Sequence, residues 1–466
     1  MNKLERWELY LLGAILLAAL ALRCGFVSSH QYIFDDSRDY LALAGTILSG
    51  QDYQVHGLYA TRMPGYPVLL AGLLWLRPSF AFILYAQAII GGLSCGVLYL
   101  IGRRLSPWIG LIGAALLAVD PLQIGFCAAI LTEIPFTLVL LVTLWLLTRL
   151  LTDRQLIGWP LLGLVWGVAI YLRAAAFWLI WPLGLTVVVA WVVLSVRQDG
   201  LRWHATLRRG LMGFLFAWVV VLATLYPWNV RNTARFGPHH WLTTLEGISL
   251  YEAVYPQADG GPRQDKILVP PALAAPLDDG GVGEVKGVSE AQLNDEWMTQ
   301  AKTCLWQEPG RMLHLAFVKI GRTWSPLFHA GQDGGPDAGF QNAPVQGVLA
   351  SWSVLTYLLA IVGMALVYTR NATPVTRASR PPSDASGAPT HPPARTAETP
   401  ALRQDGVYLG LLILLPIVYF TLLHAVFIGS VRYRVPVLPL VDLLAALGIV
   451  GLWQALRRRG PDSPTK

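Results

Sequence analysis

The chain has 466 residues, of which 54% are hydrophobic and only 14% are charged. These proportions exclude an ordinary soluble domain and indicate a membrane protein that crosses the bilayer several times. The formal net charge of +7 does not indicate nucleic-acid binding, because the basic residues lie mostly at the ends of apolar segments. No spacing of cysteine or histidine indicates a metal site, so we expect neither a metal nor a cofactor.

Ten apolar segments approach the roughly 20 residues that a bilayer-crossing helix needs. We therefore expect an all-α polytopic membrane protein. The arginines cluster in alternate loops, and the positive-inside rule then predicts a multi-pass protein of the cell (inner or plasma) membrane with both termini in the cytoplasm. The predicted spans are 7–27, 80–102, 108–129, 133–151, 156–172, 174–196, 210–228, 347–368, 405–427 and 436–456.

The segment 64–76 is apolar but short. If it crossed the membrane, every later loop would change sides and Arg103 and Arg104 would face outwards. We therefore predict that it is a juxtamembrane or re-entrant helix on the outer side.

The predicted spans divide the chain into five parts. Residues 1–228 form an N-terminal transmembrane catalytic module, whose outer loop is 28–79. Residues 229–346, called the outer segment below, are expected to carry amphipathic helices outside the membrane. The remaining parts are a transmembrane helix at 347–369, a disordered cytoplasmic linker at 370–404, and C-terminal transmembrane helices with a basic tail at 405–466.

Two helices are predicted within the outer segment. Ser289 and Gln292 resemble a capping box that opens a helix running towards Gln307. A second helix, 311–324, carries too many charges to span, so we expect it to lie in the interface. Its apolar face consists of Leu313, Phe317, Ile320 and Trp324, and its cationic face of Arg311, His314 and Arg322.

Two adjacent carboxylates, Asp35 and Asp36, follow the first predicted span. Tyr40, Leu43, Ala44 and Ile47 then recur at helical spacing, which predicts a short helix at the membrane surface. Acidic groups next to a hydrocarbon layer are expensive to desolvate and are therefore candidates for function.

Five arginines lie on the predicted outer side, near span ends. Arginine binds phosphate through two parallel hydrogen bonds and stays charged in a poorly hydrated site. Together with the acidic pair they indicate a site for an anionic lipid headgroup with a general base beside it. The alternative is that they only reach lipid headgroups or pair with loop acids. The five are Arg62, Arg173, Arg231, Arg432 and Arg434.

Glu133 stands at the predicted outer end of the fourth span. It could position an acceptor or orient a cation. It could equally be a first-turn acid that the helix dipole favours, and the sequence leaves both interpretations open.

The order of several short motifs resembles the C-type glycosyltransferases, and within them the dolichyl-phosphate-mannose–protein mannosyltransferase-like superfamily, which includes bacterial lipid A aminoarabinose transferases. The resemblance covers most of the chain except 370–403 and much of 240–290. The motifs are Asp36…Tyr40…Ala44, Arg62-Met63-Pro64-Gly65-Tyr66-Pro67, Thr132-Glu133, Leu172-Arg173, Pro227-Trp228-Asn229-Val230-Arg231-Asn232 and Arg432-Tyr433-Arg434-Val435-Pro436.

The resemblance implies an inverting, metal-independent transfer on the outer face. The donor is a polyprenyl-phosphate sugar, which is a substrate and not a cofactor, and the acceptor is a lipid, a glycan or a protein. Asp36 matches the catalytic acidic position of the family and Arg62 a position that contacts the donor phosphate. The other motif residues, Tyr40, Glu133, Arg173, Trp228 and Tyr433, are further site candidates.

This chain departs from the family pattern in two ways. The acidic pair is Asp-Asp where Asp-Glu is common, which leaves the choice of base open between Asp35 and Asp36. No large folded C-terminal outer domain is expected, which argues against an oligosaccharyltransferase.

The resulting hypothesis is a glycosyltransferase in which Asp36 is the base, Asp35 supports it, and Arg62, Arg231, Arg432 and Arg434 bind the donor phosphate. A transporter or flippase of lipid-linked sugars is the alternative. It would need charges near the membrane midplane and inverted repeats, whereas these charges lie at predicted span ends. A non-catalytic scaffold would explain neither the acids nor the arginines.

Overall fold

The computed structural model describes residues 5–199, 203–238, 240–262, 289–328, 342–372 and 400–458. Within these ranges all regular structure is helical, apart from two isolated β-bridges. The predicted all-α fold is thus confirmed. The predicted linker at 370–404 and the stretch 263–288 of the outer segment lie mostly or wholly outside the described residues.

Eight described helices are long and apolar enough to cross a membrane, and a bent pair brings the number to nine. The remaining predicted span, 156–172, corresponds to the apolar helix Gly158–Leu172. Its 15 residues fall short of the roughly 20 that a full crossing needs. The eight are Arg6–Val27, Phe80–Gly102, Glu133–Asp153, Ala174–Val196, Trp203–Phe236, Ala343–Leu366, Gly406–Val426 and Val431–Arg457.

The bent pair consists of Pro107–Val119 and Pro121–Cys127, which meet at an angle of 55° and together are long and apolar enough to cross a membrane. The bend is at Asp120, which lies between the two helices and precedes Pro121. Pro121 has no N–H to donate and keeps the preceding residue out of the helical region. The Asp120 carboxylate then caps the second helix by accepting the N–H of Gln123 at 2.8 Å.

Close helix packing in the bundle depends on small residues. Helix 343–372 crosses helix 438–458 where Gly363 meets Gly448. A Cβ on Gly363 would lie 2.1 Å from the carbonyl oxygen of Leu444, and one on Gly448 would lie 2.2 Å from that of Leu359. Only glycine permits this approach, as at many helix contacts in membranes.

The first predicted outer loop folds into two short helices, Asp35–Ser49 and Gly65–Leu76, which pack against each other. Helix 35–49 begins with two acids in its first turn, where the helix dipole favours them, and ends at Gly50 with φ +66°. Tyr40, Leu43 and Ala44 are buried, so the predicted apolar face points inwards. Helix 65–76 has only 12 residues, too few to span.

The described part of the outer segment forms the helices Glu246–Val254, Glu290–Gln307 and Pro309–Thr323. The capping box of Ser289 and Gln292 is present. Helix 309–323 exposes Leu313 and Phe317 by 62% and 67%, which fits contact with lipid.

Two of the three cationic residues predicted for one face of helix 309–323, Arg311 and Arg322, make contacts within the protein. Arg311 donates to the carbonyl of Tyr255 at 2.5 Å, and Arg322 forms an ion pair with Asp259 at 3.5 Å. The charges therefore fasten the helix to the segment 254–259.

The predicted domain boundary at 228 falls inside the continuous helix Trp203–Phe236. Pro227 does not end this helix. The final turns carry Trp228, Arg231 and Asn232 beyond the apolar stretch, so one rigid element joins the transmembrane module to the outer segment.

Candidate functional site

Asp36 lies between two arginines that come from distant parts of the chain. Its Oδ1 is 2.5 Å from Nη2 of Arg62, and its Oδ2 is 2.6 Å from Nη2 of Arg432. Helix 35–49 supplies the carboxylate, the loop before helix 65–76 supplies Arg62, and the 3₁₀ turn Val431–Val437 supplies Arg432. The three residues predicted from separate motifs therefore meet.

The chain of charges continues from Arg432 to Glu133. Nε of Arg432 donates to Oε1 of Glu133 at 2.9 Å, and Nη1 of Arg173 is 3.5 Å from the same oxygen. Glu133 is fully buried at the start of helix 133–153. Glu133 thus contacts two cations and is also an acid in the first turn of its helix, so the structure agrees with both sequence interpretations.

Asp39, which was not among the predicted site residues, joins this cluster. Its Oδ2 accepts a hydrogen bond from Nη2 of Arg62 at 3.0 Å, and its Oδ1 is 3.3 Å from Nε2 of His56. The signal was present in the sequence, since residues three apart on a helix share a face. Asp36 and Asp39 have this spacing.

The cluster contains three arginines, at 62, 173 and 432, and three carboxylates, at 36, 39 and 133. Burial alone would raise the pKa of Asp36, but the charges of Arg62 and Arg432 outweigh it and hold that pKa well below its usual range. Burial opposes the charge of Arg62 as well, yet Asp36 raises the pKa of Arg62 above its usual value. Both side chains are thus charged at neutral pH.

Aromatic rings border the charges on two sides. Tyr40 lies beside the guanidinium of Arg62, with 5.7 Å between the carbon of the guanidinium and the ring centroid. Burial raises the pKa of Tyr40 to about 12, so its phenol is neutral. The ring of Tyr433 lies 5.4 Å from the guanidinium carbons of both Arg173 and Arg432. These faces favour cations and restrict the arginine side chains.

Arg231 and Trp228 lie one step away from the cluster. Arg231 donates to the carbonyls of Tyr53 at 2.6 Å and Tyr59 at 2.8 Å, and its guanidinium lies 4.7 Å from the ring of Trp228. The indole of Trp228 donates to the carbonyl of Leu242 at 2.9 Å. These residues hold the loop that carries Arg62.

Arg434 and Asp35 point away from the cluster. Arg434 is buried and donates to the carbonyls of Thr323 and Ser325. The side chain of Asp35 is 94% exposed, and Arg38 lies 3.9 Å from it. The structure therefore brings together Asp36, Arg62, Tyr40, Glu133, Arg173, Arg432 and Tyr433, but not Arg434 or Asp35.

Within the described ranges, no group of three His, Cys, Asp or Glu side chains could hold a metal ion. The metal independence of any reaction stays a prediction.

Residues 64–227 match the family model described as dolichyl-phosphate-mannose-protein mannosyltransferase. This match includes helix 65–76, Glu133 and Arg173 but not Asp36 or Arg432. No curated protein matches the sequence.

A solved structure shows the same architecture. The oligosaccharyltransferase of Archaeoglobus fulgidus, with a tethered acceptor peptide containing the NVT sequon, is similar over 97% of this chain, with a TM-score of 0.54 and 11% identity. This chain covers 50% of that protein's length. ArnT from Cupriavidus metallidurans bound to undecaprenyl phosphate aligns over 97% of this chain and 81% of its own, with a TM-score of 0.40 and 13% identity. The match of residues 64–227 to the family model confirms the resemblance to the mannosyltransferase-like superfamily, and the structure of the Archaeoglobus fulgidus protein confirms the fold.

Proposed function

We propose that this protein transfers a sugar from a polyprenyl-phosphate donor to an acceptor on the outer face of the cell membrane. The observation that carries the proposal is the carboxylate of Asp36 held between Arg62 and Arg432. Guanidinium groups suit a phosphate, and a carboxylate beside them suits proton removal. A site with both functions has what glycosyl transfer from a lipid phosphate needs.

In the proposed reaction the oxygen or nitrogen of the acceptor attacks the anomeric carbon of the donor. The bond between that carbon and the phosphate oxygen breaks, so polyprenyl phosphate leaves with the bonding electrons. Asp36 takes the proton of the acceptor, and Arg62 and Arg432 stabilise the charge that gathers on the leaving phosphate. A single displacement of this kind inverts the anomeric centre.

Donor binding has to rearrange the ion pairs. The donor phosphate competes with Asp36 for Arg62 and Arg432, because each of these guanidinium groups has a nitrogen committed to that carboxylate. Glu133 and Arg173 lie behind Arg432 and keep its side chain in place during this exchange. The phosphate thus frees Asp36 to act as the base.

A transporter of lipid-linked sugars fits this arrangement less well. Its substrate-binding charges would be expected near the membrane midplane. Glu133 begins helix 133–153, Arg173 follows helix 158–172, and Arg432 precedes helix 438–458. The charges thus lie at helix ends, where a lipid headgroup is found.

The test is to incubate purified protein in detergent or nanodiscs with polyprenyl-phosphate sugars and candidate acceptors, and to measure release of free polyprenyl phosphate. We expect release that depends on the acceptor, that persists in a chelator, and that inverts the anomeric configuration of the product. An Asp36→Asn variant is the matched control. If the wild type binds these donors but only moves them across vesicle membranes, the enzyme assignment is wrong.

A further inference from the structure

The loop 53–62 lies between helix 35–49 and helix 65–76 and carries Arg62 at its end. It turns sharply where the backbones of Val55 and Leu58 exchange hydrogen bonds of 2.9 Å. His56 and Gly57 have positive φ angles of 52° and 75° in this turn. The hydroxyl of Tyr53 donates to the carbonyl of Arg62 at 3.0 Å, which closes the loop on itself.

Helix 203–236 holds this loop from one side. The guanidinium of Arg231 reaches the carbonyl oxygens of Tyr53 and Tyr59, one with each terminal nitrogen. The next turn adds Arg235, which lies 4.1 Å from the ring of Tyr59 and 2.9 Å from Asp52. Both terminal nitrogens of Arg231 thus donate to the loop backbone, and Nη1 also donates to Oδ1 of Asn232 at 2.9 Å.

Glu290, the first residue of helix 290–307, holds the loop from the other side. Its Oε2 accepts the N–H of Tyr59 at 2.6 Å, and its Oε1 accepts the N–H of Ala60 at 2.9 Å. Thr244 adds a hydroxyl donor to the same carboxylate, and its N–H donates to the carbonyl of Ala60 at 2.9 Å. Ala60 is fully buried between these contacts.

We propose that Glu290 and Arg231 are positioning residues that act through Arg62, and that the outer segment is thereby part of the donor-phosphate site. Tyr59, three residues before Arg62, is held at both its N–H and its C=O by groups of opposite charge. Charge-assisted hydrogen bonds of this kind are about twice as strong as neutral ones. The loop backbone therefore directs the side chain of Arg62 towards Asp36 only while helix 290–307 is in place.

This inference rests on the proposed role of Arg62 in phosphate binding, and Glu290→Gln tests it. Glutamine keeps one oxygen but turns an NH₂ group towards a backbone N–H, so one hydrogen bond becomes a repulsion. We expect the Kd for polyprenyl phosphate and the KM for the donor to rise about tenfold, equal to about 1.4 kcal/mol. The kcat at saturating donor should fall as well, because Arg62 also stabilises the charge that gathers on the leaving phosphate.

Asp295→Asn is the matched control, since Asp295 is exposed on the same helix and the charge change is the same. It should leave the Kd unchanged. Hydrogen exchange gives a second reading that needs no activity: the amides of Tyr59 and Ala60 should exchange faster in Glu290→Gln and not in Asp295→Asn. Arg231→Lys loses the two-pronged contact with the loop and should raise the Kd for polyprenyl phosphate as well. It is the alternative test if Glu290→Gln does not fold.

The failure of this inference and that of the proposed function give different results. A wild type that neither binds polyprenyl phosphate nor releases it from a donor contradicts the proposed function. A wild type that does both, with unchanged Kd and unchanged amide exchange in Glu290→Gln, contradicts the positioning role alone.

Discussion

Replacing Glu133 by glutamine tests whether the site depends on a balance of buried charges. Glu133 is fully buried, and its Oε1 contacts Arg432 at 2.9 Å and Arg173 at 3.5 Å. Removing one partner of a buried ion pair costs about 3–5 kcal/mol. Glutamine retains an oxygen that can accept the hydrogen bond of Arg432, so we expect the free energy of unfolding to fall by about 2–3 kcal/mol.

The same substitution leaves three arginines and two carboxylates in the cluster, where the wild type has three of each. An anionic phosphate should then compensate for the missing charge. We expect Glu133→Gln to unfold at a lower temperature than the wild type, and polyprenyl phosphate to raise that temperature more in the variant than in the wild type. Turnover should fall, because Arg432 loses the anchor that directs it.

The assay is thermal unfolding of the detergent-solubilised protein, with and without polyprenyl phosphate, followed by turnover on the same preparations. Asp35→Asn is the matched control, because it removes an acid whose side chain is 94% exposed. Equal unfolding temperatures for Glu133→Gln and the wild type would refute the charge-balance reasoning. A destabilised variant with full turnover would reduce Glu133 to a structural role.

Three further outcomes are expected. Asp36→Asn should lose most turnover while still binding polyprenyl phosphate, because a base acts in the transition state, whereas Asp35→Asn should keep most turnover; the reverse ranking would overturn the choice of base. Arg62→Lys keeps the charge but loses the two-pronged contact, so it should weaken donor binding, and Arg62→Ala should weaken it more. An unchanged Kd in Arg62→Ala would mean that Arg62 does not touch the phosphate. Single cysteines introduced at Ser289 and Ser383 should be labelled from opposite sides of the membrane. Labelling of both from the same side would contradict the predicted topology.

The sequence predicted most of the cluster because its members share one property. Arg62, Arg173 and Arg432 are cations at the predicted outer ends of apolar segments, and Asp36 and Glu133 are acids at the same level. Apolar length and charge placement are local properties, so they can be read without knowing how the helices pack.

The sequence could not separate Arg432 from Arg434. They lie two residues apart in the 3₁₀ turn 431–437, where three residues complete a turn, so their side chains point in different directions. One reaches Asp36 and the other the carbonyls of Thr323 and Ser325. The pattern Arg-x-Arg does not show which one faces the site.

The role of Glu290 depends on contacts far apart in the chain. Its partners are backbone N–H groups some 230 residues away, and backbone groups leave no mark in a sequence. Arg231 is similar, since its sequence position shows a cation near a span end but not that its two terminal nitrogens donate to loop carbonyls. Positioning roles of this kind follow from the fold and not from residue type.

A carboxylate whose pKa is lowered by two arginines is a weak base, so the proposed mechanism predicts a difference between two pH profiles. In the free protein the pKa of Asp36 lies below its usual range, and the acid limb of kcat/KM should therefore lie below about pH 4. When the donor phosphate draws Arg62 and Arg432 away, the lowering influence weakens while the effect of burial, which raises the pKa, remains. The acid limb of kcat, which reports the donor-bound state, should therefore lie at higher pH than that of kcat/KM. Arg62→Ala should move the kcat/KM limb upwards as well, since it removes one of the two charges that keep Asp36 ionised. Coincident limbs in the wild type would mean that the phosphate does not compete with Asp36 for its arginines, and the base would then have to be sought at Asp39 and His56, on the other side of Arg62.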